Sequence, residues 1–176
     1  SNEGREVQRY LLSRGWKVEE ILQAELGYIS RDEAIKIDAQ RSVGDYYTLS
    51  ITLSTGGRLY GFKFRTIKPK QEQDPTKDKY TYLFGTQKKG NLFNLVGTQQ
   101  REGSMVVVEG ELDALHAEIR GVKGIVATGG GQLTEEFLTE ALERGIKRIT
   151  LLFDKDERGA KFVKDSIAIA HKKGIS

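Results

Sequence analysis

Four acidic residues stand where they could share one divalent cation. Glu109 directly follows the short apolar run 105–108, and Asp154 directly follows the run 149–153. Asp156 comes two residues later in Phe153-Asp154-Lys155-Asp156, and an extended Asp-x-Asp projects both carboxylates to one side. Asp113 lies four residues after Glu109, so a helix opening at Glu111 turns it back toward the same edge. Carboxylates crowded together repel one another and lose hydration, a penalty that a hard divalent cation removes. Each acid also has a purely structural reading. Polar loops commonly follow strands, and acids near helix starts favour the helix dipole. Four of them at two strand ends favour the metal.

The elements that must position these acids alternate simply. The run 105–108 reads as a buried parallel strand, Leu112, Leu115 and Ile119 mark a helix, and 125–127 reads as a second strand. Phe137, Leu138, Ala141 and Leu142 mark another helix with Thr134 as its N-cap. The run 149–153 is a third strand, followed by a helix expected to turn Ala160, Val163, Ile167 and Ala170 inward. Three strand–helix repeats predict an α/β fold, a parallel sheet flanked by helices, and such sheets bind ligands beyond the carboxyl ends of their strands. Gly129-Gly130-Gly131 follows the second strand. Its backbone N–H groups, around Gly130, could cradle a phosphate, or the glycines could merely make a tight turn, and the sequence favours neither.

Upstream the pattern differs. Residues 3–25 read as two short helices broken at Ser13-Arg14-Gly15, with Val18, Ile21 and Leu22 on one face of the second. Tyr47, Leu49, Ile51 and Leu53 alternate with polar residues. A Thr55-Gly56-Gly57 turn follows, then Leu59, Phe62 and Phe64, predicting a β-hairpin. Residues 66–80 read as an exposed loop, with the short apolar pieces Leu83-Phe84 and Leu92-Phe93 beyond it. Between Arg58 and Lys89, nine basic residues face three acidic ones, so +6 sits there while the whole chain carries +3. Clustered cations of this kind suit a polyanion such as nucleic acid, or else form a solvated lysine-rich loop.

Composition narrows the choices further. The 176 residues are 38% hydrophobic and 30% charged, which suits a soluble globular protein of one ordinary domain or two small ones. No apolar run approaches the roughly 18 residues of a membrane-spanning helix. Without cysteine, and with two histidines, the chain offers no zinc site, so any metal must sit among oxygens, as magnesium, manganese or calcium do. Ser1-Asn2 in place of an initiator methionine, and the ending Gly174-Ile175-Ser176, point to a segment excised from a longer protein. A boundary near 97–104 divides the chain into a smaller mixed α+β region, 1–100, and the α/β region, 101–176.

The segment Val106-Val107-Val108-Glu109-Gly110-Glu111-Leu112-Asp113 resembles the Glu-Gly-x-x-Asp motif of TOPRIM domains in DnaG-type primases, and Leu152-Phe153-Asp154-Lys155-Asp156-Glu157-Arg158-Gly159 resembles their Asp-x-Asp-x-x-Gly motif. The resemblance continues upstream. Tyr10-Leu11 through Arg14-Gly15, then Leu26-Gly27-Tyr28, is similar to the opening of the primase N-terminal subdomain. Residues 57–65 resemble its Gly-Arg-x-x-Gly-Phe-x-x-Arg segment, Lys79-Tyr80 its Lys-Tyr, and Lys89-Gly90 with Leu92-Phe93-Asn94-Leu95 the stretch that follows.

The resemblance implies a TOPRIM-type sheet after the smaller subdomain, and DNA-dependent RNA primer synthesis by nucleotidyl transfer. It implies Glu109, Asp154 and Asp156 as catalytic residues that hold Mg2+ or Mn2+ together with Asp113. Arg58, Arg65, Lys79, Tyr80, Lys88, Lys89 and Gly130 are the expected contacts to nucleoside triphosphates or single-stranded DNA template. A cytoplasmic replication enzyme with a replicative helicase as partner, and no membrane, follows from the same resemblance. The chain departs from the family at Tyr82 (usually Asn), at Thr128-Gly129-Gly130-Gly131 (which lacks the family's Gly-Thr), at Lys155 (usually Gly) and at Arg158 (usually Ala). The family's zinc domain and a further acidic motif lie outside the segment. These departures imply a divergent primase of a phage or mobile element, and weaken the expectation that the segment works alone. Another TOPRIM enzyme acting on DNA phosphodiesters (a topoisomerase or OLD-type nuclease), a non-catalytic single-stranded DNA-binding module, and an unrelated receiver-type magnesium domain are the alternatives.

Overall fold

The computed structural model describes residues 2–37, 48–55, 58–68, 71, 79–86, 92–94 and 103–176. The chain divides into two compact units, one of residues 1–53 and 61–86, the other of residues 54–60 and 87–176.

In the first unit, helix α1 (Asn2–Ser13) buries Val7 and Leu11 and ends where Gly15 takes a positive φ of 84°. Helix α2 (Val18–Gln23) starts where the Glu20 carboxylate accepts from the Lys17 N–H at 2.7 Å. Only Ile21 of its apolar trio is buried. Val18 and Leu22 are exposed, because six residues are under two turns and offer the interior a single position. Helix α3 (Arg31–Ile37) has a reciprocal cap, Ser30 N–H to Glu33 Oε2 at 3.0 Å and Glu33 N–H to Ser30 Oγ at 3.2 Å.

Four strands form a sheet in the order β1 (Gly27–Ile29), β2 (Thr48–Thr55), β3 (Arg58–Thr66) and β4 (Tyr80–Tyr82). Strands β2 and β3 are neighbours, as the expected hairpin requires, and its turn residues Gly56 and Gly57 lie outside the described residues. Leu49, Ile51 and Leu53 are fully buried with half-exposed residues between them, the period-two signature of a one-sided strand. Tyr47 lies outside the described residues. On β3, Phe62 and Phe64 pack with Ile29 and Leu83, which leaves Lys63 and Arg65 on the opposite face.

In the second unit, β5 (Ser104–Val108) lies between β6 (Ile125–Ala127) and β7 (Arg148–Leu152), parallel to both. A central parallel strand is covered on both sides, which explains the unbroken burial of residues 105–108. Helices α4 (Glu111–Ile119), α5 (Glu135–Glu143) and α6 (Glu157–Lys172) alternate with the strands as expected. Met105, Val107, Val126, Leu133, Phe137, Leu138 and Ile146 form the core, each such side chain contributing about 1.5–3 kcal/mol. Thr134 caps α5 by accepting from Phe137 N–H at 3.3 Å.

The inward face of α6 differs from the expectation. Gly159, Ser166 and Ala170 are buried, whereas Ala160 and Ile167 are exposed and Val163 is half-buried. The face is set by the close approach of Gly159 and by Ser166 Oγ, which accepts the buried Leu133 N–H at 3.1 Å. Apolar periodicity does not register either contact. Phe93 pairs with Ala127 across the free edge of β6, with N–H to O distances of 3.0 and 3.2 Å.

Candidate functional site

Register brings the acids to one edge. Val108 of β5 is level with Leu152 of β7 and Ala127 of β6, so the three strands end together. Glu109 leaves the first, Phe153-Asp154 the second and Thr128 the third. The Thr128 N–H still bonds to Val108 O at 3.1 Å. Across the gap, Glu109 Oε1 accepts the Asp154 N–H at 3.1 Å, tying two segments 45 residues apart.

Two glycines permit the packing at this edge. A Cβ built on Gly110 would lie 2.8 Å from Asp113 Oδ2, so the Asp113 carboxylate folds back over Gly110, beside Glu109 in the chain. A Cβ on Gly159 would lie 2.0 Å from Asp154 O, so the first turn of α6 sits against the Asp154 backbone. Asp156 is the N-cap of α6, its Oδ1 accepting the Gly159 N–H at 2.7 Å.

The acids thus share an edge, but among the described residues no three of them form a group able to hold a metal ion. Glu109 and Asp156 are turned to backbone donors instead. Like-charged carboxylates have no reason to converge by themselves, and each takes the nearest N–H. The donor set is nonetheless all oxygen and exposed or half-exposed, which suits a hard cation that keeps part of its water shell.

The glycine turn beyond β6 is held rather than open. Gly129 and Gly130 have φ of 78° and 101°, which requires glycine or strain. Gly131 N–H bonds Thr128 Oγ1 at 3.3 Å, and Gly130 O accepts from Arg158 Nη2 at 2.6 Å. Arg158 also lies over the Phe162 ring, its guanidinium carbon 5.1 Å from the centroid. The helix-start arginine therefore ties the glycine turn to the segment carrying Asp154 and Asp156, a role that the sequence marks only as a departure at one position.

In the first unit, Lys63 pairs in register with Tyr82, and Arg65 with Tyr80. Arg65 stands 5.1 Å from the Tyr10 ring and 5.2 Å from the Tyr80 ring. The Lys63 ammonium stands 4.5 Å from Tyr80 and 5.0 Å from Tyr82, and that of Lys79 5.9 Å from Tyr80. These distances are those of cation–π contacts. Lys63 and Arg65 are 3% and 6% exposed, so two cations of the basic stretch are not free surface charges. The strand's alternation directs them onto the tyrosine-lined face. Lys79 and Arg58 are exposed, and Arg58 belongs to the second unit. Lys88 and Lys89 lie outside the described residues. Sequence reading missed Tyr10, Lys63 and Tyr82, whose association depends on pairing register.

Comparison with known proteins agrees with this architecture. Residues 106–176 match the Toprim-like family. The chain is 30% identical to a DNA primase of Staphylococcus aureus strain MSSA476 over 161 residues, covering 86% of this chain and 24% of that protein. It is 26% identical to the DNA primase of Aquifex aeolicus, over 97% of this chain and 39% of that one. The crystal structure of the Aquifex aeolicus primase zinc-binding and RNA polymerase domains superimposes with a TM-score of 0.75 at 25% identity, covering 97% of this chain and 48% of that one. A DnaG primase catalytic domain bound to single-stranded DNA shares the fold, with a TM-score of 0.69 at 20% identity, over 94% of this chain and 59% of that one. The chain thus spans about a quarter of the length of the Staphylococcus primase and about two fifths of the Aquifex one. No described helix is long and apolar enough to cross a membrane.

Proposed function

We propose that this chain, a divergent relative of the DnaG-type primase catalytic core, joins ribonucleotides into primers on a single-stranded DNA template. Support comes from similarity to primases along nearly the whole chain. The observation that carries the reading is the 3.1 Å contact of Glu109 with the Asp154 backbone, which joins the two acidic segments at one sheet edge.

Glu109, Asp154 and Asp156 would hold Mg2+ or Mn2+, with Asp113, folded over Gly110, adding negative charge beside it. The ion would offset charge on the triphosphate and favour ionisation of the attacking 3′-hydroxyl. The chain's own part is placement. Gly110 and Gly159 let the acidic segments pack closely, and Arg158 fixes the glycine turn. Gly130 in the second unit would face a nucleotide phosphate, and Arg58, Arg65, Lys79, Tyr80, Lys88 and Lys89 would each contact a phosphate of nucleotide or nucleic acid. Such contacts position the nucleic acid and carry no sequence information. On this reading the region 1–100 is a primase-like N-terminal subdomain and 101–176 a TOPRIM domain, of a cytoplasmic replication protein that a replicative helicase could partner.

The test is ribonucleotide incorporation on a single-stranded template by a protein that carries this chain. Glu109→Gln, Asp154→Asn and Asp156→Asn should each slow synthesis on the order of a hundredfold, the scale for losing one electrostatic contributor to a charged transition state. Normal synthesis by all three variants refutes the assignment. DNA cleavage or relaxation without synthesis would indicate a nuclease or topoisomerase instead.

A further inference from the structure

Arg65 is buried, and its Nε has no hydrogen-bond partner among the described residues. A buried guanidinium is ordinarily held by a carboxylate fork, which satisfies its N–H groups but cancels its charge. Among the described residues two aromatic rings are in contact with it instead, Tyr10 at 5.1 Å and Tyr80 at 5.2 Å. Tyr80 reaches Arg65 simply as its cross-strand neighbour. Tyr10 comes from α1, more than fifty residues away, and its own hydroxyl is buried without a partner among the described residues. A phenol that finds no partner is worse than a plain ring at such a place, so the ring face is what the position uses.

We propose that Tyr10 is a positioning residue for Arg65: its ring holds the guanidinium beside Tyr80 and so presents a positive charge, which no carboxylate among the described residues cancels, to a phosphate of the nucleic acid. The two ring faces do what a carboxylate cannot. Their quadrupoles offset part of the cost of burying a cation yet leave its full charge for an external anion. The proposal rests on the reading of Arg65 as a phosphate contact and adds a residue from outside the basic stretch.

The experiment measures binding of a labelled single-stranded DNA oligonucleotide to the 176-residue chain at several salt concentrations, with melting temperature followed in parallel. Tyr10→Phe keeps the ring and should bind as the parent does. Pentafluorophenylalanine at position 10 keeps the shape but inverts the charge of the ring face. It should weaken binding about tenfold, as loss of one desolvated cation–π contact implies. The slope of log affinity against log salt should flatten by about 0.7, the share of one phosphate contact. In an Arg65→Gln background the same ring exchange should change nothing further. Parental affinity and slope with the fluorinated ring overturn the proposal. So does a loss that persists in full beside Arg65→Gln, or one that tracks the melting temperature at unchanged slope. If Arg65→Gln alone binds normally, the phosphate role of Arg65 is wrong, and the clamp falls with it.

Discussion

Gly159→Ala separates close packing from helix propensity at the acidic edge. Gly159 lies in the first turn of α6, where alanine would ordinarily stabilise a helix by about 1 kcal/mol. The added Cβ, however, would sit 2.0 Å from Asp154 O, 3.0 Å from its carbonyl carbon and 3.2 Å from its nitrogen. That first distance is more than an ångström short of contact, and the obstacle is backbone, which cannot swing aside. Overpacking of this kind costs about 1–3 kcal/mol and, with relief only by movement of residues 154–156, belongs at the upper end. Net of the propensity gain, roughly 2 kcal/mol should be lost, or about 4–8 °C in melting temperature for a chain of this length. The same displacement breaks the Asp154 N–H contact with Glu109, so manganese binding, followed by the EPR signal of the free ion, should weaken together with stability. An alanine variant that melts at or above the parent temperature and binds manganese normally would refute the packing argument.

Gly110→Ala should differ in its effect on melting but not in its effect on manganese. Its Cβ would meet only the movable Asp113 carboxylate at 2.8 Å, and its φ of −104° suits alanine, so melting should be unchanged or slightly raised while manganese affinity falls. Ser166→Ala leaves the buried Leu133 N–H without its 3.1 Å acceptor and should cost about 1–3 kcal/mol by chemical denaturation, with no effect on DNA binding. Ser30 hydroxyl and N–H groups hold the Glu33 carboxyl below its ordinary range. A depressed folded-state value means stability that is present above the unfolded value and lost as pH falls through the folded one. Ser30→Ala should move the Glu33 titration upward by NMR and shrink that acid-side loss.

The strand–helix alternation of residues 104–172 is legible in the sequence because each element there has a single dominant period and a clear boundary residue, Thr134 at α5 being one. The acids at the ends of β5 and β7 are legible for the same reason, since a continuous apolar run fixes where a buried strand stops. Helix α3 is hidden from apolar patterning although Ser30-Arg31-Asp32-Glu33 spells a capping box, because no run of apolar residues accompanies it. The inward face of α6 is hidden too, because its deepest residues are a glycine and a serine, which periodicity counts as neutral.

From residue types and spacing alone came the expectation that any metal would sit among oxygens, the α/β order and the excess of cations before residue 90. Only the folded chain decided that Glu109 reaches Asp154, that Arg158 grips the glycine turn, and that Arg65 meets the rings of both Tyr10 and Tyr80. The first group depends on local chain chemistry, which each segment carries with it. The second depends on strand register and on which helix packs where, and these are set by how the whole chain buries its apolar surface.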